Sequence, residues 1–474
     1  MSEIVNLNLD FLPENRHGIY LVGGTVRDLL MGRKPADIDL AIRGDFVHIA
    51  ATIADKCQGK VVDLGKKGFA VLRVASPSLT VDITPLAGQT IEENLCQRDF
   101  TINAIAYDVA DRRLVDCSGG HADLKQKTVR MVSDTVFTKD PARLVRAYRM
   151  AAMLGFGIDS KTRAAIGGFS HLISQVAGER IWAELLKLFT LPHGSPIVRQ
   201  MADDGLMVSI FPELKPSIGC IQNHFHQFDV FEHSLRTYEQ LEMLLADPNH
   251  QFAISLPADE MTDLIDRGAL MKYAALLHDA GKPATKKKYA DGRVGFPGHA
   301  GRSAALATTA SERLRLSKVQ RDTSVSIIRN HIRPLFLFMA MQKGTLSHRG
   351  TIRFFNHCSS LTLPILVHSI ADILAKHQTQ QPKDADFISF CHGLMGDYVN
   401  FRKRQSAGPP LVNGHDLIKI FGLFPTPRFK WILSRVDEHR LSGELSTREQ
   451  ALDWVKTQLA SRWGDGAQTA GKKS

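Results

Sequence analysis

Two carboxylates one residue apart, Asp37 and Asp39 in PADIDLAI, offer the clearest chemistry in this chain. On an extended strand the side-chain period of two puts Asp37, Asp39 and Ala41 on one face, and Ile38, Leu40 and Ile42 on the other. Paired carboxylates repel each other unless a cation neutralises them, and hard divalent cations such as Mg²⁺ prefer such oxygens. Just upstream, Gly23-Gly24 permits a close backbone approach and offers N–H groups, with Arg27 beside it. That combination suits a polyphosphate. Together these parts describe metal-assisted nucleotidyl transfer. On a later β-run, Asp82 shares a face with Thr80 and Thr84. It either joins the first two carboxylates as a third metal-facing group or stands as a polar residue on a solvated face.

A second cluster is LCQRDFTINAIAYD, residues 95–108. Its pattern predicts a helix with Asp99 at the cap and Ile102, Ile105 and Ala106 packed inward. Arg98 then falls near the helix start, where a cation is misplaced unless an anion such as a triphosphate binds there. A third cluster is KDPARLVRAYRMAAMLGFGID, residues 139–159, with Asp140 as cap and Pro141 in the first turn. Arg143, Arg146 and Arg149 recur every third residue, so neighbours in the series share a face. They are either a solvated face or donors for bidentate contacts to phosphate and base edges.

The fourth set is dispersed: His233 in DVFEHSL, His278-Asp279 in YAALLHDAGKP, His299 in PGHAGRS, His331 in IRNHIRP and Asp372 in SIADILA. A single buried histidine is usually a satisfied core residue. Imidazoles and carboxylates gathered in one helical bundle are instead good ligands for a transition metal or Mg²⁺, able to generate hydroxide for phosphoester hydrolysis. His224 and His226 fit no part of this pattern and read as surface or loop residues.

The elements that must position these groups follow from periodicity. A strand at 19–22 leads through the glycine turn into a helix over 25–31, with Thr25 near its cap and Gly32 closing it. A strand resumes after Pro35. A helix is predicted at 46–57 and strands at 61–62, 69–74 and 79–84. Beyond 114–116 nearly everything reads as helical, with a Gly-Pro-Pro break at 408–410 and a small, polar, basic tail at 464–474 predicted to be disordered. The fold class is α+β: an α/β head (1–130), an all-α neck (131–215), a metal-binding helical domain (216–380) and a helical tail (381–474).

The chain has 474 residues, ample for several cores, with 44% hydrophobic and 23% charged residues. Fifty-nine Lys and Arg against 49 Asp and Glu give +10, with a pI near 9.3. That favours an anionic partner, RNA rather than membrane. Six scattered cysteines with no C-x-x-C pair point to reduced thiols in a cytoplasm. Met1 opens no signal peptide, and no apolar run of membrane-spanning length is expected.

Residues 20–42, carrying GG-x-x-R-D, G-R-x-P and D-I-D, resemble the first signature of the class II tRNA nucleotidyltransferases and bacterial poly(A) polymerases. Residues 97–106 are similar to that family's RRDFTINAIA signature, with Gln97 replacing the first arginine. Residues 139–149 resemble its EDPxRxxRAxR signature, with Lys139 replacing the glutamate. ERIWAELLKLF (179–189) is similar to the neck-helix signature, in which Arg180 and Glu184 are structural partners. The ordered histidines and aspartates resemble the HD phosphohydrolase domain, and residues 412–421 a tail module of the same relatives. The resemblance implies that Asp37 and Asp39 hold Mg²⁺, that Gly24, Arg27 and Arg98 bind nucleotide, and that Asp99 and Asn103 shape the ribose pocket. It also implies that Asp140 and Arg143 read the base, with Arg146 and Arg149 lining the same pocket. tRNA 3′ ends, CTP and ATP are the implied partners. In the HD part, His233, His278, Asp279 and Asp372 are the matched ligands of an unspecified divalent metal, and His299 and His331 match the extra histidines of two-metal members. In the family a long loop before RDFTINA is associated with the switch from C to A addition; here only residues 85–97 intervene. CCA, CC-only, A-only and poly(A) synthesis therefore stay open. The rival classes are a phosphohydrolase working through the HD part and a non-catalytic RNA-binding scaffold.

Overall fold

The computed structural model describes residues 8–65, 70–223, 226–379, 381–406 and 410–463. Residues 1–7 of the lead-in, Phe69 of the predicted 69–74 strand, His224, Gly408 and Pro409 of the predicted break, and the 464–474 tail lie outside them. Two compact units are present, Met1–Pro212 and Glu213–Ser474.

The first unit is built on a seven-stranded mixed sheet. Its strands are β1 (Ile19–Val22), β2 (Ile38–Ile42), β3 (Lys60–Asp63), β4 (Leu72–Ala75), β5 (Thr80–Pro85), β6 (Ala106–Asp108) and β7 (Arg113–Val115), in the order β3-β4-β5-β2-β1-β6-β7. β2 and β5 run parallel, in a register that sets Asp39 opposite Asp82. All four β1 residues are buried, as befits a strand covered on both faces. The α+β class read from the sequence holds.

Three local expectations are corrected. Thr25 is not the cap of the first helix. Gly23, at φ 66, occupies that place and the helix runs Gly24–Leu30. The Thr25 hydroxyl instead donates to the Asp37 carbonyl (3.3 Å) and accepts from the Asp39 N–H (2.7 Å), tying helix to strand. The helix predicted across 99–106 is absent: a single 3-10 turn, Thr101–Asn103, leads into β6, whose Ala106 pairs with Val22. Pairing with the central strand outweighs the local helical pattern, because it satisfies backbone groups that would otherwise be buried unpaired. β-structure also persists past residue 116. Thr128–Val129 pairs in parallel with Gly157–Ile158, just past the end of the helix Arg143–Leu154.

That helix begins three residues after Asp140, whose carboxylate accepts from the Ala142 N–H (3.2 Å). It packs against the helix Gly178–Thr190, which buries Ile181, Trp182, Leu185, Leu188 and Phe189.

In the second unit, the helix Val230–Ala246 packs on Gly268–Leu277 and Thr362–Leu374, and Lys318–Asn330 packs on His299–Arg313. The core is apolar and alanine-rich, with Ala274, Ala275, Ala304, Ala307 and Ala310 fully buried. Small side chains let these helices approach closely around the polar cluster described below. Towards the chain's end, Gly414–Lys419 is closed by a capping box between Asn413 and Asp416. Contrary to the sequence expectation, residues 348–374 are long and apolar enough to span a bilayer, with a mean hydropathy of 1.3, but 67% of that window is buried in the unit. The chain also turns within it at Ser359 (φ 50). It is a core element.

Thr25→Val keeps the shape of the helix–strand clamp and removes its hydroxyl. It should cost about 1–3 kcal/mol, because the Asp39 N–H is left without its partner. Calorimetry should show the first unit melting roughly 2–4 °C lower per kcal/mol, with Thr25→Ser close to wild type.

Candidate functional site

The head and neck residues singled out in the sequence line one cleft of about 870 Å³: Gly24, Arg27, Asp37, Asp39, Asp82 and Arg98 from the head, and Asp140, Arg143, Arg146 and Arg149 from the neck. Asp99, Asn103, Arg180 and Glu184 line it as well.

Its floor is the carboxylate row. Asp39 and Asp82 are lateral neighbours on β2 and β5, and Asp37 lies just before β2. Burial pushes the Asp39 carboxyl above its ordinary range, against the pull of Arg98, with Asp82 and Asp37 adding to the rise. Arg73 on β4, opposite Asp82 in the antiparallel register, donates to both Asp82 oxygens at 2.7 Å and stands 4.0 Å from Asp37. Asp82 is thus an arginine partner facing the same cleft, and Arg73 is a site residue that the sequence reading missed. The signal was there: the short turn between β4 and β5 fixes a register that pairs them.

The glycine turn is a cradle. A Cβ on Gly23 would lie 2.8 Å from Arg98 Nη1 and 3.2 Å from Asp39 Oδ2. Arg98 does not sit at a helix start. It follows the helix Ile91–Leu95, within reach of the Asn94 side chain at 3.4 Å. Burial lowers its pKa, against Asp39 and Asp99, which sustain its charge. Two oxygen donors beside a cradle open to backbone N–H groups fit a hard divalent cation with a polyphosphate.

A polar chain runs from this cradle to the neck. Arg27 donates to Asn103 Oδ1 (2.8 Å), Asn103 Nδ2 to Asp99 Oδ1 (3.0 Å), and Arg146 to Asp99 Oδ2 (2.6 Å). Arg146 also lies 3.5 Å from Glu184, which Arg149 bonds directly. Burial favours neutral Asp99, but Arg146 and the N–H groups of Asn103 and Phe100 outweigh it and hold the carboxyl below its ordinary range. Beside this chain, Arg180 grips both Asp140 oxygens (3.0 and 2.9 Å). Arg143 donates to the carbonyls of Gln97 (3.0 Å) and Arg98 (3.3 Å). Arg180 and Glu184 therefore act as the pairing partners expected of them.

The second unit holds a separate cluster. His278 and His331 each follow the last residue of a helix, where carbonyls lack an intrahelical partner. Their Nδ1 atoms lie 2.9 Å and 2.6 Å from the carbonyls of Ala275 and Ile328, and His299 Nδ1 lies 2.9 Å from that of Phe296. Each bond keeps the proton on Nδ1 and leaves the Nε2 lone pair for a ligand. Asp279 divides the cluster. Its Oδ2 faces His278 (3.2 Å) and His233 (3.6 Å), and its Oδ1 faces His299 (3.4 Å) and His331 (3.9 Å). Asp372 lies 2.9 Å from His233 and 3.9 Å from His278. Donor atoms of His233/His278/Asp279, His278/His331/Asp372 and Asp279/His299/His331 each fall within 4.8 Å of one another. His278 Nε2 and Asp279 Oδ1 are buried without a hydrogen-bond partner. Such a donor set fits one or two divalent metals.

Around this cluster stand residues the sequence reading passed over. His368, fully buried, has its ring 5.1 Å from that of His278, and it sits one turn before Asp372 on the same helix. Lys282 Nζ lies 2.5 Å from Asp279 and 2.6 Å from the Gln222 side chain. His226 is a loop residue as expected, yet its ring stands 5.2 Å from that of His233 and burial pushes its pKa down to about 2.

Three family matches cover most of the chain. Residues 19–130 match the Poly A polymerase head domain, 155–218 the probable RNA and SrmB-binding site of polymerase A, and 230–376 the HD domain. The A-adding tRNA nucleotidyltransferase of Deinococcus radiodurans is 30% identical over 463 residues, 96% of this chain and 97% of that protein. The CC-adding tRNA nucleotidyltransferase of Thermus thermophilus is 28% identical over 98% of each. The solved Thermotoga maritima CCA-adding enzyme complexed with tRNA superposes with a TM-score of 0.60 at 21% identity, covering 93% of this chain and 91% of that one. That likeness shows a shared fold. With a relative 30% identical across nearly the whole of both proteins, the chain belongs to the tRNA nucleotidyltransferase family.

Proposed function

We propose that this protein is a template-independent nucleotidyltransferase that adds C, A or both to tRNA 3′ ends from CTP and ATP, releasing pyrophosphate. The observation that carries the reading is the single cleft in which the carboxylate row, the glycine cradle and the arginine helix meet. Asp37 and Asp39 would hold Mg²⁺. When bound, such a cation would supply Lewis acidity for the RNA 3′-hydroxyl and for the α-phosphate charge in an in-line displacement. Gly24, Arg27 and Arg98 hold the triphosphate and stabilise the departing pyrophosphate. Asp140 and Arg143 present an acceptor and donors to the base edge. Arg180 and the Gln97 and Arg98 carbonyls fix their directions, so little ordering remains when nucleotide enters. Asp99 and Asn103 shape the pocket by holding Arg146 and Arg27, since the bonds they make to those arginines occupy their side chains. The full-length relatives include both an A-adding and a CC-adding enzyme, and residues 85–97 form a short connection. We leave the choice among C, CC, A and CCA addition to experiment. All six cysteines are free thiols, which supports placing the enzyme in a reducing, cytoplasmic compartment.

The histidine cluster favours a second activity, metal-dependent phosphoester hydrolysis. His233, His278, Asp279 and Asp372 would hold one divalent metal, and His299 and His331, with the other Asp279 oxygen, a second. The imidazoles' anchored Nδ1 protons direct their Nε2 lone pairs inward before any metal arrives.

tRNA transcripts ending at the discriminator base, C or CC, offered labelled CTP, ATP or both, should grow by the residues this enzyme adds. Asp37→Ala or Asp39→Ala should lower the rate at least about a thousandfold, roughly 4 kcal/mol of lost transition-state stabilisation. His278→Ala and Asp279→Ala should leave addition intact. Incorporation surviving Asp37→Ala would sink the transferase reading. Asp140→Ala should cut discrimination between CTP and ATP by about 10- to 100-fold in kcat/KM, with a small change in the rate for the preferred nucleotide. Atomic absorption on Mn²⁺-loaded protein should show His331→Ala losing about one metal per chain. Addition of nucleotide should be unaffected in that variant.

A further inference from the structure

Between the two halves of the histidine cluster the chain throws out a short hairpin, Lys287–Lys288 paired antiparallel with Val294–Gly295. Four basic residues, Lys286, Lys287, Lys288 and Arg293, are exposed on it against one acid, Asp291, which pairs with Arg293 at 2.6 Å. Among them Tyr289 is 40% exposed. Its ring lies across Gly295, where a Cβ would meet it at 3.0 Å, and Lys287 Nζ stands 5.3 Å from its centroid.

Charged edges alone would be an ordinary guard against strand-to-strand association. The root of this hairpin points elsewhere. Phe296 closes it, accepting the His299 imidazole at its carbonyl (2.9 Å) while its ring lies 5.6 Å from the Lys282 ammonium. Lys286, at the other base, donates to the Ile221 carbonyl (2.5 Å), next to the Gln222 that holds Lys282. One foot of the hairpin therefore bonds a histidine of the cluster directly, and the other is tied to it through Gln222 and the Lys282 that meets Asp279. The tip displays cations with one aromatic face among them, the combination that grips a single-stranded polynucleotide through phosphates and a stacked base.

Resting on the phosphohydrolase reading above, we infer that residues 286–295 are a single-stranded RNA contact that makes RNA ends, rather than free nucleotides, the substrates of the histidine site. On this inference a strand whose end is held at the metal donors also meets the hairpin tip, whereas a mononucleotide does not.

The test uses the full-length protein and a ten-nucleotide RNA with a 3′-terminal phosphate and one 4-thiouridine near that end. Irradiated in EDTA, where no hydrolysis occurs, the RNA should cross-link to the 286–295 peptide, identified by mass spectrometry. Tyr289→Ala and the double variant Lys287→Gln/Lys288→Gln, both on exposed positions, should lose that cross-link. With metal restored, the double variant should raise KM for the RNA phosphate about tenfold and flatten the slope of log KM against log salt by about 1.4, two contacts at ~0.7 each. Hydrolysis of a mononucleotide 3′-phosphate and nucleotide addition to tRNA should stay at wild-type rates. Cross-links found only elsewhere, or equal losses on RNA and mononucleotide, would overturn the inference. If wild type hydrolyses neither phosphate, the phosphohydrolase reading falls, and the cross-link alone still decides whether the hairpin binds RNA.

Discussion

Placing three carboxylates side by side on parallel neighbouring strands is the constraint that the first unit is arranged around. Asp39 and Asp82 are set opposite each other by the β2–β5 register, with Asp37 just beyond. Burial already disfavours ionised Asp39, and each added like charge disfavours it further. The surroundings answer with fixed cations and dipoles. Arg73 takes both Asp82 oxygens, Arg98 lies over Gly23 and attracts the Asp39 charge, and Thr25 holds the Asp39 backbone still. Glycine suits position 23 because its φ of 66 is one that side chains rarely adopt, and a Cβ there would also force Arg98 to shift. The helix, the glycine turn and the segment leading to β6 all follow from keeping that acidic row intact and open on one side.

The second unit meets a related problem by other means. Its donors are mostly imidazoles rather than carboxylates, so gathering them costs desolvation more than like-charge repulsion, and burial holds His233 and His331 below the ordinary histidine range. The last-turn carbonyls of two helices, which would need partners in any case, receive the Nδ1 protons of His278 and His331. Helix termination and ligand orientation are thus one event. Asp279 is the one fully buried charge at the centre, and Lys282 beside it supplies the counter-charge.

How much of this was legible in the sequence depended on whether the signal was local. The alternation around Asp37 and Asp39 and the spacing of Arg143, Arg146 and Arg149 are short-range patterns; the arginine spacing left a solvated face open, and the family resemblance implied the pocket in which the cleft now gathers them. Arg98 was assigned to a helix because Ile102, Ile105 and Ala106 have helical spacing; the chain forms a strand there because Val22 lies across from Ala106. Arg73 and Thr25 carry no motif of their own. Their roles exist only once β4 is registered on β5 and the first helix is laid against β2. His226 and His368 were missed for the same reason: their neighbours come from distant helices. For His368 a local cue existed, since a histidine four residues before a ligating aspartate shares its helix face.

The polar chain from Arg27 through Asn103, Asp99 and Arg146 to Glu184 and Arg149 runs along the cleft from the glycine cradle to the neck helices. Cations, carboxylates and one amide alternate along it, and every interior member has a partner on each side. Cutting it anywhere leaves a buried or half-buried group unpaired, which costs more than the bond itself was worth. Such a network is stiff, and on the proposed reading stiffness is what base selection by protein side chains would demand. On the proposed reading, the side chain that would grip the triphosphate, Arg27, is held by the same network that holds Arg146 and Arg149 on the neck helix, so a substitution at Asp99 or Asn103 would be felt towards both ends of the cleft.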